Sequence, residues 1–64
     1  MNAPAYDILK RDELGMVWVE AVSRIEMARL RIEQLARTFN NEYVVFDQRF
    51  GQIVGRVAGS CADG

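Results

Sequence analysis

The chain has 64 residues, with 8 lysines and arginines against 9 aspartates and glutamates, and a formal net charge of −1. A domain this small buries only about 60% of the surface that its unfolded chain exposes, so a disulfide, a metal or oligomerisation often adds stability. The single cysteine, Cys61, excludes an internal disulfide, and the absence of histidine argues against a structural zinc site, so oligomerisation is the remaining route.

The first two predicted elements are β-strands that form a hairpin. Residues 6–10 alternate between the two sides of a strand, and residues 16–22 are rich in valine and carry Trp18. The polar link between them ends at Gly15, which we expect to adopt a positive φ because glycine has no Cβ.

A helix is predicted over residues 24–39. The run from Ser23 to Glu26 fits the S-x-x-E capping box, in which the serine oxygen accepts a first-turn amide and the glutamate reaches back. Asn40 is expected to end the helix, because asparagine tolerates the left-handed conformation. Apolar residues recur with the 3.6-residue period and form one stripe, which consists of Ile25, Ala28, Ile32, Leu35, Ala36 and Phe39.

Two further strands are predicted after the helix, over residues 42–47 and 52–58, with a turn at Gly51 between them. The order is therefore ββαββ, and the predicted fold class is α+β, with one four-stranded, mostly antiparallel sheet and a single helix packed on one face. Strand orders 2-1-3-4 and 2-1-4-3 both obey the connection rules. We expect the first, because antiparallel pairs are commoner than parallel ones.

Strict alternation assigns the side chains of each strand to two faces of the sheet. In the second strand it groups Val17, Val19 and Ala21 on one face, opposite Met16 and Trp18. In the last strand it groups Ile53, Gly55 and Val57, opposite Val54.

The organisation of the chain predicts one compact domain over residues 1–58, with a disordered lead at 1–4 and a flexible tail at 59–64 that includes Cys61. The first residues lack the basic and apolar segments of a secretory signal. Uncharged runs are far shorter than the roughly 20 apolar residues that a membrane span requires. We therefore expect a cytoplasmic protein with no membrane association. The initial Met1 and the tapering tail favour a complete protein.

Hydrophobic residues make up 50% of the chain, which is more than one helix and one sheet face can bury. In the third strand, Val44 and Phe46 alternate with Tyr43 and Val45, so either choice of inner face leaves apolar side chains outside. Because contiguous exposed apolar surface marks contact sites, we predict an interface on the open sheet face. Its candidate residues are Met16, Trp18, Tyr43 and Val45. Two further interface candidates, Met27 and Leu30, lie on the helix, off its core stripe by helical spacing. The alternative is that they are ordinary scattered surface residues.

No arrangement of residues indicates catalysis, a metal or a cofactor. The 9 carboxylates are dispersed along the chain rather than paired. Cys61 has no histidine to activate it. The run from Gly51 to Gly55 lacks the lysine of a phosphate-binding loop. We therefore expect a protein that is not an enzyme and that holds no cofactor.

The leading interpretation is a small non-enzymatic protein–protein interaction or regulatory module, which homodimerises through the open sheet face and can bind an unknown protein partner. The alternative is an accessory protein that binds nucleic acid through the exposed aromatics Trp18 and Tyr43 and the helix arginines. Nucleic acid is the less favoured partner, because the net charge is not basic and the arginines straddle the core stripe. These arginines are Arg24, Arg29, Arg31 and Arg37. A small-ligand carrier or enzyme with a pocket between two copies is a third interpretation.

Three segments that occur together resemble short uncharacterised bacterial proteins: Tyr6-Asp7-Ile8-Leu9-Lys10, Trp18-Val19-Glu20-Ala21-Val22 and Glu42-Tyr43-Val44-Val45-Phe46-Asp47-Gln48. In those proteins a tryptophan-bearing strand leads into an amphipathic helix and then into a strand of the Tyr-(Val/Leu)-Val-Phe-Asp-Gln type. The resemblance covers residues 6–57 and implies a bacterial cytoplasmic origin. It implies no activity, cofactor or site residue for this chain.

Overall fold

The structure is a computed structural model that describes residues 4–59. Its elements are β1 (Tyr6–Asp12), β2 (Gly15–Val22), α1 (Ile25–Phe39), β3 (Glu42–Asp47) and β4 (Gln52–Val57). The strands form one antiparallel sheet in the order β2-β1-β3-β4, so the predicted α+β fold and the favoured strand order are confirmed. Most of the predicted lead, at 1–3, and of the predicted tail, at 60–64 with Cys61, lies outside the described residues.

The predicted turn glycines have the conformations that their positions require. Gly15 follows the β1–β2 turn with a φ of 125°, and Gly51 closes the β3–β4 turn with a φ of 66°. A side chain also shapes the first turn, since Asp12 Oδ1 accepts a hydrogen bond from the amide of Leu14 at 2.8 Å. β1 runs two residues further than expected, to Asp12, before this turn reverses the chain.

The start of α1 differs from the prediction. The N-cap is Arg24, with an extended backbone, and among residues 4–59 no side chain makes a capping hydrogen bond there. The first helical turn closes when the amide of Ala28 donates to the Arg24 carbonyl at 3.1 Å. The predicted capping box of Ser23 and Glu26 is therefore wrong, because Ser23 lies one residue before the position from which a cap reaches the first-turn amides.

The end of α1 is as predicted. Asn40 adopts the left-handed conformation, with φ 55° and ψ 41°, and its amide donates to the Ala36 carbonyl. Gly59, two residues beyond β4, lies against this cap. A Cβ added to Gly59 would stand 2.5 Å from the carbonyl carbon of Asn40, so the close approach requires glycine.

The core lies between α1 and one face of the sheet. The helix contributes Ala28, Ile32, Leu35 and Ala36, and the sheet contributes Ile8, Tyr43 and Val45. The predicted stripe includes Phe39, but this residue is 58% exposed. Phe39 is the last residue of the helix, and it lines an open groove beside β2 instead of packing on the sheet.

Two β-bulges change which side chains share a face. On β2, Ile8 pairs with Glu20 while Leu9 pairs with Trp18, so Val19 is an extra residue. Ala21 therefore pairs with Asp7 and lies on the face opposite Ile8, and the predicted grouping of Ala21 with Val17 is wrong. An inserted residue reverses the alternation beyond it, which strict two-residue periodicity does not foresee.

The second bulge lies on β4. Val45 pairs with Gly55 and Phe46 pairs with Ile53, which leaves Val54 as the extra residue. Val54 and Val57 pack against the core, whereas Ile53 shares the opposite face with Phe46. The predicted grouping of Ile53 with Gly55 and Val57 is therefore wrong for the same reason.

Candidate interaction surface

The side of the sheet that faces away from α1 has no covering element among residues 4–59, and we call it the open face. Because Ile8, Tyr43 and Val45 point to the helix, their neighbours along each strand point the other way. The strand pairing places six large apolar residues on the open face: Leu9, Met16, Trp18, Val44, Phe46 and Ile53.

Two of the six predicted interface residues lie in the core instead. Tyr43 is 3% exposed and Val45 is fully buried, and both pack against the helix. Their prediction as interface residues is therefore wrong. Alternation separates Tyr43 and Val45 from Val44 and Phe46, but all four are apolar, so it does not say which pair the helix covers. The open face receives Val44 and Phe46.

The centre and the rim of the open face differ in exposure. Val44 is only 1% exposed, although no helix covers it, because it lies between Leu9 and Arg56 on the neighbouring strands. Long side chains such as arginine shield apolar neighbours with their methylene stems. Exposure is concentrated at the outer strands, where Trp18 is 59% and Ile53 is 51% exposed.

The charged residues of the open face balance. Glu42 lies between two arginines, with its carboxylate oxygens 4.0 Å from Arg11 and 3.6 Å from Arg56. Asp7 supplies the second negative charge. Its Oδ1 accepts hydrogen bonds from Trp18 Nε1 at 3.2 Å and from Gln48 Nε2 at 2.9 Å. The face therefore has no net charge, and the indole of Trp18 is held in place by a carboxylate.

A second polar cluster closes the end of the sheet at the β3–β4 turn. Asp47 is 4% exposed, and its Oδ1 accepts the Arg49 amide at 2.9 Å and Arg49 Nε at 3.4 Å. Arg49 also donates to the Tyr6 hydroxyl at 2.7 Å, and its guanidinium lies 5.4 Å and 5.5 Å from the ring centroids of Tyr6 and Phe50. These contacts occupy the carboxylate, which is therefore suited to fixing the turn rather than to accepting a substrate proton.

The charge state of this cluster follows from the same contacts. Burial raises the pKa of Asp47, but the hydrogen bonds and the charge of Arg49 outweigh burial and leave that pKa below its ordinary value. The hydrogen bond to Asp47 correspondingly raises the pKa of Arg49. Both groups therefore stay ionised at neutral pH.

The remaining predicted candidates fall on two separate surfaces. Met16 and Trp18 lie on the open face, at β2. Met27 and Leu30 are 59% and 58% exposed, and helical spacing places them on the outer side of α1, away from the sheet. Met27 and Leu30 therefore lie apart from the open face, as helical spacing predicts.

Exposed apolar residues that the prediction missed lie on strand β2 and in the turn just before it. Besides Met16 and Trp18, Leu14 is 96% and Val17 is 45% exposed. Val17 lies on the helix side of β2, where it lines a groove of about 320 Å³ with Phe39, Leu35 and other residues. The signal in the sequence was the unbroken apolar run at 16–19, which gives this strand apolar side chains on both faces.

The helix arginines and the exposed tryptophan lie on opposite sides of the sheet. Arg31 Nε is 2.8 Å from Glu20 Oε2, on the helix side of β2. Arg29 lines a shallow pocket between α1 and β4, also on that side. Trp18 lies on the open face and Tyr43 is buried, so these aromatics and the helix arginines do not share a surface.

Within residues 4–59, no group of three or more aspartate, glutamate, cysteine or histidine side chains is placed to hold a metal ion. No helix in that range combines the length and the apolar character that crossing a membrane requires. Comparisons with protein-family models, with curated proteins and with solved structures found no match to this chain.

Proposed function

We propose that this chain is a small non-enzymatic protein–protein interaction or regulatory module, which self-associates through the open face. The observation that carries the proposal is the apolar open face itself, which no element within residues 4–59 covers and whose residues Trp18, Met16 and Ile53 are about half exposed. The proposal includes a cytoplasmic setting, in which the single cysteine stays reduced.

A second copy is a suitable occupant of the open face on electrostatic grounds. Arg11 and Arg56 balance Asp7 and Glu42, and Glu42 is already paired with both arginines. Two copies related by a two-fold axis would therefore bring neutral surfaces together without like-charge repulsion. Aligned packing of two sheets about 10 Å apart is a common arrangement, and it would leave one helix on each outer side.

The size of the face sets the expected strength of this contact. Four strands about 4.8 Å apart and about 20 Å long cover about 400 Å² on each copy, or about 800 Å² in total. Specific interfaces bury at least about 1,000 Å², so this contact alone lies at the weak end of the range. We therefore expect self-association that depends on concentration.

The nucleic-acid alternative has weaker support. It requires exposed aromatics and arginines to face the same strand of RNA or DNA. Arg29 and Arg31 lie on the helix side of the sheet, whereas Trp18 lies on the open face.

The experiment is a measurement of solution mass by light scattering over about 1 to 100 μM, with and without reductant. We expect the mass to rise with concentration above the 7.3 kDa of one chain, and to do so equally in reductant, which excludes a Cys61 disulfide. Ile53→Lys places a charge on the open face and should lower the mass at each concentration. Met27→Lys is the matched control, because Met27 is similarly exposed on the outer side of α1.

The proposal fails if the wild type stays at the mass of one chain throughout this range and still unfolds cooperatively. It also fails if Met27→Lys lowers the mass and Ile53→Lys does not, since that result would place the contact on the helix.

A further inference from the structure

The two outer strands of the sheet are protected to different degrees. β4 has 6 residues, is interrupted by the bulge at Val54, and carries Arg56, whose side chain is 63% exposed. β2 has 8 residues, and its only charged residue, Glu20, is bound by Arg31 of the same chain. Natural edge strands avoid unwanted pairing by being short, bulged or charged. By this criterion β4 is a protected edge, whereas the first half of β2 is not.

The first half of β2 is exposed on three sides. Residues Gly15 to Trp18 precede the bulge and are all exposed. Met16 and Trp18 project on the open face, and Val17 projects on the helix side beside Phe39. Beyond the outer edge of β2, no strand lies within the described range of 4–59. A strand added there would satisfy the backbone groups and cover apolar side chains on both faces at once.

We propose that β2 pairs antiparallel with β2 of a second copy, so that two four-stranded sheets become one sheet of eight strands. A second copy fits this edge because β2 brings no unpaired charge to it, and because an antiparallel pair of identical strands has two-fold symmetry. The pairing ends at two copies, because the opposite edge of each sheet is the protected strand β4. One exposed and one protected edge produce a closed assembly rather than a fibre.

Edge pairing also strengthens the contact between open faces, and this part of the inference rests on the proposed function. Joining two sheets doubles the open face to about 800 Å², so two such sheets packed face to face would bury about 1,600 Å². That is the standard size of a stable interface. The two-fold axis of the edge contact is perpendicular to the sheet, and that of the face contact runs parallel to the sheets, midway between them. Together the two axes generate a tetramer.

The test separates the two contacts with two lysine substitutions. Val17→Lys charges the edge on the helix side and leaves the open face unchanged, whereas Ile53→Lys charges the open face at β4, far from the edge. At concentrations where the wild type has four times the mass of one chain, each variant should have half that mass, and the double variant should be monomeric. Met27→Lys should keep the full mass, and thermal melts should show that each variant is folded.

The outcomes distinguish failure of this inference from failure of the proposed function. A wild-type dimer that becomes monomeric with Ile53→Lys but not with Val17→Lys overturns edge pairing and leaves the face contact standing. A dimer that becomes monomeric only with Val17→Lys supports edge pairing and overturns the face contact.

A second measurement does not depend on how a variant folds. In the wild type, the amides of residues 15–18 that point away from β1 should exchange with solvent as slowly as those that bond to β1, because a second β2 protects them. Fast exchange of these outward amides at concentrations where the protein is associated would overturn the inference. Slow exchange in Ile53→Lys as well would assign the protection to the edge contact.

Discussion

The two faces of the sheet carry similar side chains but have different cover. Val45 and Val44 are neighbours on β3, and they are 0% and 1% exposed. Val45 lies under the helix in the packed core, whereas Val44 lies on the open face between Leu9 and Arg56. A whole helix covers Val45, whereas only side chains of the neighbouring strands cover Val44. Low exposure in a small domain therefore does not by itself identify the core.

The largest expected effect is on the helix side. Ile32→Ala removes a residue that is 2% exposed at the centre of the helix stripe, and such substitutions cost about 2–5 kcal/mol. A domain of this size has a free energy of unfolding of about 3–10 kcal/mol, so much of it could be lost. Urea unfolding followed by circular dichroism measures the change. A loss below about 1 kcal/mol would mean that the helix side is not the main core.

The matched pair Val45→Ala and Val44→Ala tests the comparison directly. The side chains are identical and equally buried, so the transfer term is the same, at about 0.8 kcal/mol for each methylene-sized group. Val45→Ala should cost about 2 kcal/mol or more because the helix cannot fill the cavity, and Val44→Ala should cost about half as much. The measurement is urea unfolding at a concentration where the chain is monomeric.

Measuring the self-association of Val44→Ala and Val45→Ala at high concentration adds a second test of the two faces. If the open face is a contact between copies, Val44→Ala should weaken association by shifting Leu9 and Arg56, which cover it, whereas Val45→Ala should not. Equal losses of stability in the monomer, with no effect on association, would contradict the distinction between the faces.

The sequence was sufficient to predict the elements, their order and the end of the helix, because these depend on local signals such as Asn40 and Gly15. It was not sufficient to assign the faces. All four residues from Tyr43 to Phe46 are apolar, so alternation alone does not select the pair that the helix covers. The bulges at Val19 and Val54 then reverse the alternation in both outer strands. Both extra residues are valines, which are also common in regular strands, so the sequence does not predict the bulges.

A smaller effect on stability is expected at the β3–β4 turn, where Asp47 pairs with Arg49. Because the pKa of Asp47 is lowered in the folded state, its carboxylate stabilises the fold above its unfolded pKa of about 3.9. This stability should be lost as the pH falls below about 4, towards the folded pKa. Asp47→Asn should remove that part of the pH dependence in melting experiments between neutral pH and acid. An unchanged acid profile would show that other carboxylates cause it.

The smallest effect is expected at Gly55, on the helix side of β4. A Cβ there would lie 3.5 Å from a methyl carbon of Val45 and 3.9 Å from Ile32, which are ordinary contact distances. Gly55→Ala should therefore be neutral or should stabilise the fold by up to about 1 kcal/mol, since glycine weakens a strand interior. The matched substitution Gly59→Ala should destabilise, because its Cβ would meet the Asn40 backbone. Thermal melts of both variants provide the comparison.

Trp18, which donates a hydrogen bond to Asp7 on the open face, gives the protein a fluorescence signal at that surface. The chain contains one tryptophan, so its fluorescence reports on one place, the β2 end of the open face. With 59% of the residue exposed in the single chain, emission should resemble that of a water-exposed indole, and it should shift to shorter wavelength when a second surface excludes that water. The protein thus carries an intrinsic optical probe at the surface proposed for its association, and its binding isotherm can be recorded without a label.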